Sequence, residues 1–222
     1  MTYKPLIAIS AVLLLLFSCN DKVAKQSDAQ IIEESKRIEQ NNVPLFEYEG
    51  LGEISLEIDS IDILYHNTVF KHSAILQTRK KMVIDIPDFT DKYAKKGVFP
   101  AKITDEITLK LIQQELEKLI PSEKKSIYDI RILADVHYKN GTVKKIDFCG
   151  LFSDEIFVDD VPYNSNNRLA YIVKNAIGLY SWEKDEPTFD MFPEIKDTTI
   201  IKEPIVESPW YIEYVKHKVI FE

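Results

Sequence analysis

The stretch from Ile130 to Cys149 leaves the chain the least choice. Ile130, Ile132, Ala134, Val136 and Tyr138 recur at every second position, the period of a strand with one buried face. They run into Asn140-Gly141, and residues 142–149 return. A two-residue loop would set Val136 opposite Lys145 and Ala134 opposite Asp147, mixing core with charge. A three-residue loop over 139–141, with Gly141 in the left-handed region, shifts the pairing by one. Ala134 then faces Ile146, Ile132 faces Phe148, and Asp135 faces Lys145 on the wet side. Because a one-residue slip turns every side chain over, the bulged register is the expected one.

Around this hairpin the pattern gives further elements. Ile54, Leu56 and Ile58 alternate with polar residues, and the alternation continues less cleanly through Ile61, Ile63 and Tyr65. Residues 69–78 and 81–86 read as two more strands, the second stopped by Pro87, and 88–102 as a loop broken by Gly97 and Pro100. Thr104 is placed to cap a helix, with Asp105 and Glu106 in the first turn, where the helix dipole favours anions. Ile107, Leu111, Ile112, Leu116, Leu119 and Ile120 form its apolar face, and Pro121 ends it. Residues 156–158 suggest a short strand.

Asn164 or Ser165 caps a second helix whose stripe is Leu169, Ile172, Val173, Ala176, Ile177 and Tyr180; Gly178 within it costs ~1 kcal/mol relative to Ala. Residues 183–210 hold four prolines and an acidic excess, which predicts extended chain wrapped over the surface. Residues 211–221 read as a final strand. The order predicts an α+β fold: an antiparallel sheet with two amphipathic helices packed on one face.

The N-terminal region is of another kind. Lys4 precedes an uncharged run over 5–17 that closes on Leu16-Phe17-Ser18-Cys19. The run is shorter than the ~20 residues that cross a bilayer as a helix, and suits the apolar core of a cleaved leader. Leu16, Ser18 and Cys19 match the lipobox, so the segment resembles the signal peptide of bacterial lipoproteins. Phe17 is bulkier than the usual residue there, and a single Lys makes a thin basic region. The resemblance implies that 1–18 is removed and that Cys19 carries lipid, which places the body at a membrane of the cell envelope, facing periplasm or exterior. One acyl chain binds marginally at ~0.8 kcal/mol per buried CH₂; two or three on one residue anchor it firmly. Residues 19–43 are then a polar tether, and 44–222 a single α+β domain with the extended acidic segment 183–210.

The chain carries a net charge of −8, which argues against nucleic acid as a partner, because phosphate binding needs a concentrated positive footprint. With Cys19 lipidated, Cys149 is the one remaining thiol, so no disulfide forms within the chain. Its setting between Phe148 and Gly150 favours a buried, inert thiol over a nucleophile.

No Gly-rich phosphate loop, nucleophile elbow, zincin helix or paired Cys-x-x-Cys is present in the sequence. His66, His72, His137 and His217 share no helix or strand face. The acidic group Asp154, Glu155, Asp159 and Asp160 lacks the spacing and turn glycine of a Ca²⁺ loop and reads as a solvated strand end. No cofactor and no metal is therefore expected.

Charge is segregated along the chain. Residues 71–102 carry eight basic and three acidic residues, and 183–207 eight acidic and three basic. The basic residues Arg79, Lys80, Lys81, Lys92, Lys95 and Lys96 are candidates for steering a charged partner; equally, the two segments could neutralise one another within the fold. These readings lead to a lipid-anchored envelope protein whose body binds another protein without catalysis, inhibitor and immunity types included. The alternatives are an envelope hydrolase with an unrecognised site and a carrier of a small ligand.

Overall fold

The computed structural model describes residues 55–67, 79–80, 82–90, 97–123 and 129–221. Six antiparallel strands form one sheet: β1 (Ile58–His66), β2 (Val98–Ile103), β3 (Ile130–Tyr138), β4 (Val143–Cys149), β5 (Glu155–Val158) and β6 (Val161–Asn164), in the order β2-β1-β3-β4-β5-β6. Helix α1 (Glu106–Glu117) connects β2 to β3, and α2 (Asn167–Ala176) follows β6. The short helices α3 (Tyr180–Glu183) and α4 (Pro193–Lys196) and the C-terminal α5 (Pro209–Phe221) complete an α+β fold.

The hairpin adopts the bulged register. Ala134 pairs with Ile146, Ile132 with Phe148 and Asp135 with Lys145. Tyr138 N–H donates to the Thr142 carbonyl and Gly141 N–H to that of Tyr138, with Gly141 at φ 84°. The less clean alternation in β1 has a cause of the same kind. Its apolar residues change phase from Ile58 to Ile61 and Ile63, and the β1–β3 register shifts between Ile58 and Ser60. That bulge keeps Ile58, Ile61, Ile63 and Tyr65 all buried.

Two apolar clusters follow from strand alternation. The larger joins Ile61, Ile63, Ile132, Ala134, Ile146, Phe148 and Ile156 of the sheet to Leu109 and Ile112 of α1 and Leu169 and Ile172 of α2. The smaller holds residues at the alternate strand positions, Leu64, Val98, Leu133, Cys149 and Phe157, with Met82. Buried Gln113 of α1 fastens the chain entering β1: its side-chain carbonyl accepts from Glu57 N–H at 2.8 Å, and its amide donates to the Ser55 carbonyl at 3.0 Å.

Several expectations are corrected. Residues 98–103 form β2 rather than loop; Pro100 is tolerated because β2 is an edge strand, where a missing N–H costs no ladder bond. Of the strand expected over 81–86, the described residues give a single bridge, Asp85 to Val98; the strand expected over 69–78 lies outside the described residues. Asp105, not Thr104, caps α1, accepting from Thr108 N–H at 2.8 Å. Asn166 caps α2, accepting from Leu169 N–H at 2.9 Å.

Helix α2 stops at Ala176, and Gly178 lies beyond it at φ 68°. A Cβ there would stand 2.4 Å from the Ser208 nitrogen, so this glycine serves a close backbone approach and not a helix interior. Residues 183–210 are less extended than expected, containing α4 and the 3-10 turn Phe189–Met191.

The expected C-terminal strand is helix α5. Its β-branched and aromatic composition suggested a strand, but Ser208 followed by Pro209 is a helix start. Trp210, Tyr214 and His217 recur at helical spacing on one side.

Candidate functional site

Arg79 is the predicted binding residue whose surroundings the structure defines. Its guanidinium reaches Asp135 at 2.7 Å and Asp147 at 2.6 Å, and donates to the Ala134 carbonyl at 3.1 Å. The hairpin register points Asp135 and Asp147 to the same side, away from Ala134, Ile146 and Phe148. Asp147 is buried there among apolar neighbours, Leu133 on one strand and Phe157 on the other. Burial raises its pKa, and Arg79 acts against that rise.

Among the described residues, Arg79 joins the basic segment to the sheet through Asp135 and Asp147. Lys80 is exposed; Lys81, Lys92, Lys95 and Lys96 lie outside the described residues, as do Cys19 and His72. On the same side of the sheet, Asp62 stands 3.3 Å from Lys102 and 2.9 Å from His137.

A second polar assembly, which sequence reasoning missed, lies between sheet and helices. His66, Arg131, Ser153, Lys174 and Glu183 line a cavity of about 10 Å³, at the lower limit of what holds one water. Arg131 Nη1 lies 3.2 Å from His66 Nδ1. Since a guanidinium only donates, Nδ1 accepts and the ring proton sits on Nε2. Arg131 is itself bound by Asp129 at 2.8 Å.

Deeper in, Lys174 of α2 donates to Glu194 Oε1 of α4 at 2.6 Å, and Tyr180 of α3 donates to the same oxygen at 2.9 Å. The Phe192 ring lies 4.6 Å from the ammonium. Burial lowers the Lys174 pKa against the pull of Glu194, and raises that of Tyr180. The triad pins three helices together, and so small a cavity admits no organic substrate to the amine. Nothing local marked it: Lys174 lies between Val173 and the polar Asn175, beside the apolar stripe and not in it.

Four other singled-out residues, Cys149, Asp159, Asp160 and His217, have defined surroundings. Cys149 is buried and its thiol is pushed up to about 12 by desolvation, which keeps it protonated and a poor nucleophile. Asp159 and Asp160 form the β5–β6 turn at φ 47° and 68°, and Asp159 accepts from Lys145 N–H at 2.9 Å. His217 lies on α5, 3.0 Å from Glu213. Among the described residues, no three His, Cys, Asp or Glu side chains converge in a way that could hold a metal ion.

A third feature is aromatic. Phe99 of β2 and Trp182 of α3 stack at 5.2 Å, and Phe89 lies 6.3 Å from Phe99. Helix α5 sits on these rings: Trp210 lies 5.9 Å from Phe99, and Tyr214 5.4 Å from Trp182 and 6.1 Å from Phe89. Trp210 Nε1–H donates to the Pro100 carbonyl at 2.9 Å. No family model, no curated protein and no solved structure matches this chain.

Proposed function

We propose that this is a lipid-anchored protein of the bacterial cell envelope whose folded body binds another envelope protein and performs no catalysis. The observation that carries the reading is Leu16-Phe17-Ser18-Cys19 behind an uncharged leader, which supplies the lipid attachment site at Cys19. The body then has no need to touch lipid, and its acidic balance keeps it off anionic surfaces.

Two features support binding over chemistry. The ionisable groups that burial perturbs most are tied to a partner, as Lys174 and Tyr180 are to Glu194, or kept protonated, as in Cys149. The cations of the basic segment, Lys80, Lys81, Lys92, Lys95 and Lys96, form the proposed docking charge, with Arg79 tying that segment to Asp135 and Asp147.

Fractionation tests the anchor: Cys19→Ala is expected to leave the chain unprocessed or free of the membrane, and wild-type processing and attachment would refute it. Capture tests the surface. Reversing Lys80, Lys81 and Lys92 to Glu slows partner association, by an amount that shrinks as salt rises. Association unchanged at low salt would remove the basic segment from the interface.

A further inference from the structure

The chain is pinned by hydrogen bonds up to Ser208, and beyond it is held by ring contacts and the Trp210–Pro100 hydrogen bond. Tyr171 of α2 accepts from Glu203 N–H at 2.6 Å, and Asn175 of α2 accepts from Val206 N–H and donates to the Pro204 carbonyl, both at 3.2 Å. Ser208 is buried; its hydroxyl meets Tyr65 OH at 2.9 Å and its N–H donates to Ser181 Oγ at 3.2 Å. The backbone at Ser208 lies so close to Gly178 that a Cβ would not fit between them.

Immediately after this pin comes Pro209, the first residue of α5. From Pro209 to Lys218 every side chain of α5 is half-buried or exposed. Beneath the helix, by contrast, Phe99 and Trp182 are buried and apolar. An element with no fully buried side chain among those described over 209–218, hinged on a fixed residue, belongs to the low-stability end of a structure.

We propose that α5 is a detachable cover on a helix-binding groove formed by Phe89, Phe99 and Trp182, hinged at Ser208–Pro209. The kind of partner follows from what the groove already seats: an amphipathic helix presenting an indole and a phenol one turn apart, as Trp210 and Tyr214 do. Aromatic pairs at these separations add to area burial, and an apolar groove filled by an aromatic helix face is a recurrent recognition mode. The partner helix replaces α5. The inference rests on the proposed binding function and gives it a second, apolar surface distinct from the basic segment.

Two measurements on the full-length chain test it. In native-state hydrogen exchange, the α5 amides exchange through a local opening that leaves β3 protected; equal protection of α5 and β3 would overturn the proposal. The second uses a labelled synthetic peptide of residues 208–221. It binds the Trp210→Ala/Tyr214→Ala chain about tenfold more tightly than wild type, because the wild-type groove is already occupied by its own helix. A peptide carrying the same two substitutions does not bind. Absence of peptide binding to a variant that keeps the wild-type thermal transition would also overturn it, and if the variant does not fold the exchange experiment decides. Either failure leaves the Cys19 anchor and the Lys80–Lys81 surface standing, whereas loss of partner capture with intact peptide binding would count against the basic surface alone.

Discussion

Arg79 holds Asp147 at 2.6 Å on a part of the sheet where the cross-strand neighbours of Asp147 are Leu133 and Phe157. The carboxylate is almost out of water, at 5% side-chain exposure, while the guanidinium at 21% also serves Asp135. The two partners are therefore not equivalent, and substitution should show it.

Arg79→Met leaves Asp147 buried with no counter-charge and is expected to cost about 3–5 kcal/mol, the range for breaking a buried pair from one side. Asp147→Asn keeps the shape, removes the buried charge and leaves Arg79 bound to Asp135, so its expected cost is below about 1 kcal/mol. Because the folded pKa of Asp147 lies above its ordinary value, its ionised form opposes folding. The Arg79→Met deficit should narrow as pH falls through that pKa and the carboxyl takes up a proton. Denaturant midpoints of both variants near neutral and at mildly acid pH check the ordering; equal losses would contradict it.

Two of the left-handed glycines, Gly141 and Gly178, separate backbone strain from steric conflict. Both have positive φ, but a Cβ at Gly141 meets nothing within 4 Å, whereas at Gly178 it meets the Ser208 nitrogen at 2.4 Å. Gly141→Ala should cost only the ~1–2 kcal/mol of a left-handed alanine. Gly178→Ala must in addition move the segment at Ser208, and with it the Tyr65 and Ser181 hydrogen bonds. Its loss in melting temperature should be clearly the larger; an equal loss would mean that the segment yields freely.

At alkaline pH the buried acids set the response. Cys149 rises from 9.0 to about 12 and Tyr65 from 10.0 to about 12, with burial the leading cause in both, and Tyr180 is also raised. Each folded pKa lies above the unfolded one. The stability they supply is thus complete below the unfolded values and is lost as pH rises through the window up to about 12. Lys174 and Lys202 work the other way, since their folded pKa values are lowered, but they are two groups against four once half-buried Tyr138, also raised, is included. Melting temperature should fall steadily above about pH 9, and Cys149→Val should delay the onset to the tyrosine range. A melting temperature flat across that window would show that these groups reach water.

What could be read in the sequence was what local alternation and register decide. The hairpin was legible because only one pairing kept Ile146 and Phe148 beside Ile132 and Ala134. Helices α1 and α2 were legible from their stripes, with caps misplaced by a residue or two because Thr104, Asp105, Ser165 and Asn166 all have capping side chains. Helix α5 was not, because the rings that its Trp210 and Tyr214 meet are supplied by Phe89, Phe99 and Trp182, remote in the chain. The polar assemblies were invisible for the same reason. Nothing local relates Arg79 to Asp147, or sets His66 beside Arg131.

The Lys174–Glu194 pair gives the most demanding test of how α4 is held. Its ammonium and carboxylate are 2% and 0% exposed, and Glu194 Oε2 has no hydrogen-bond partner among the described residues. Desolvation therefore weighs heavily against a single short contact and the Tyr180 hydroxyl. Lys174→Met strands the carboxylate and should cost about 3–5 kcal/mol. The double variant Lys174→Met/Glu194→Leu removes both charges and leaves only Tyr180 OH in want of an acceptor, so it should recover most of that loss. The coupling energy of the pair is the double variant's loss minus the sum of the two single losses, read from denaturant midpoints of the wild type, both single variants and the double. Additive losses would show that the two side chains are held independently, and that apolar packing around Phe192 alone secures α4 to α2.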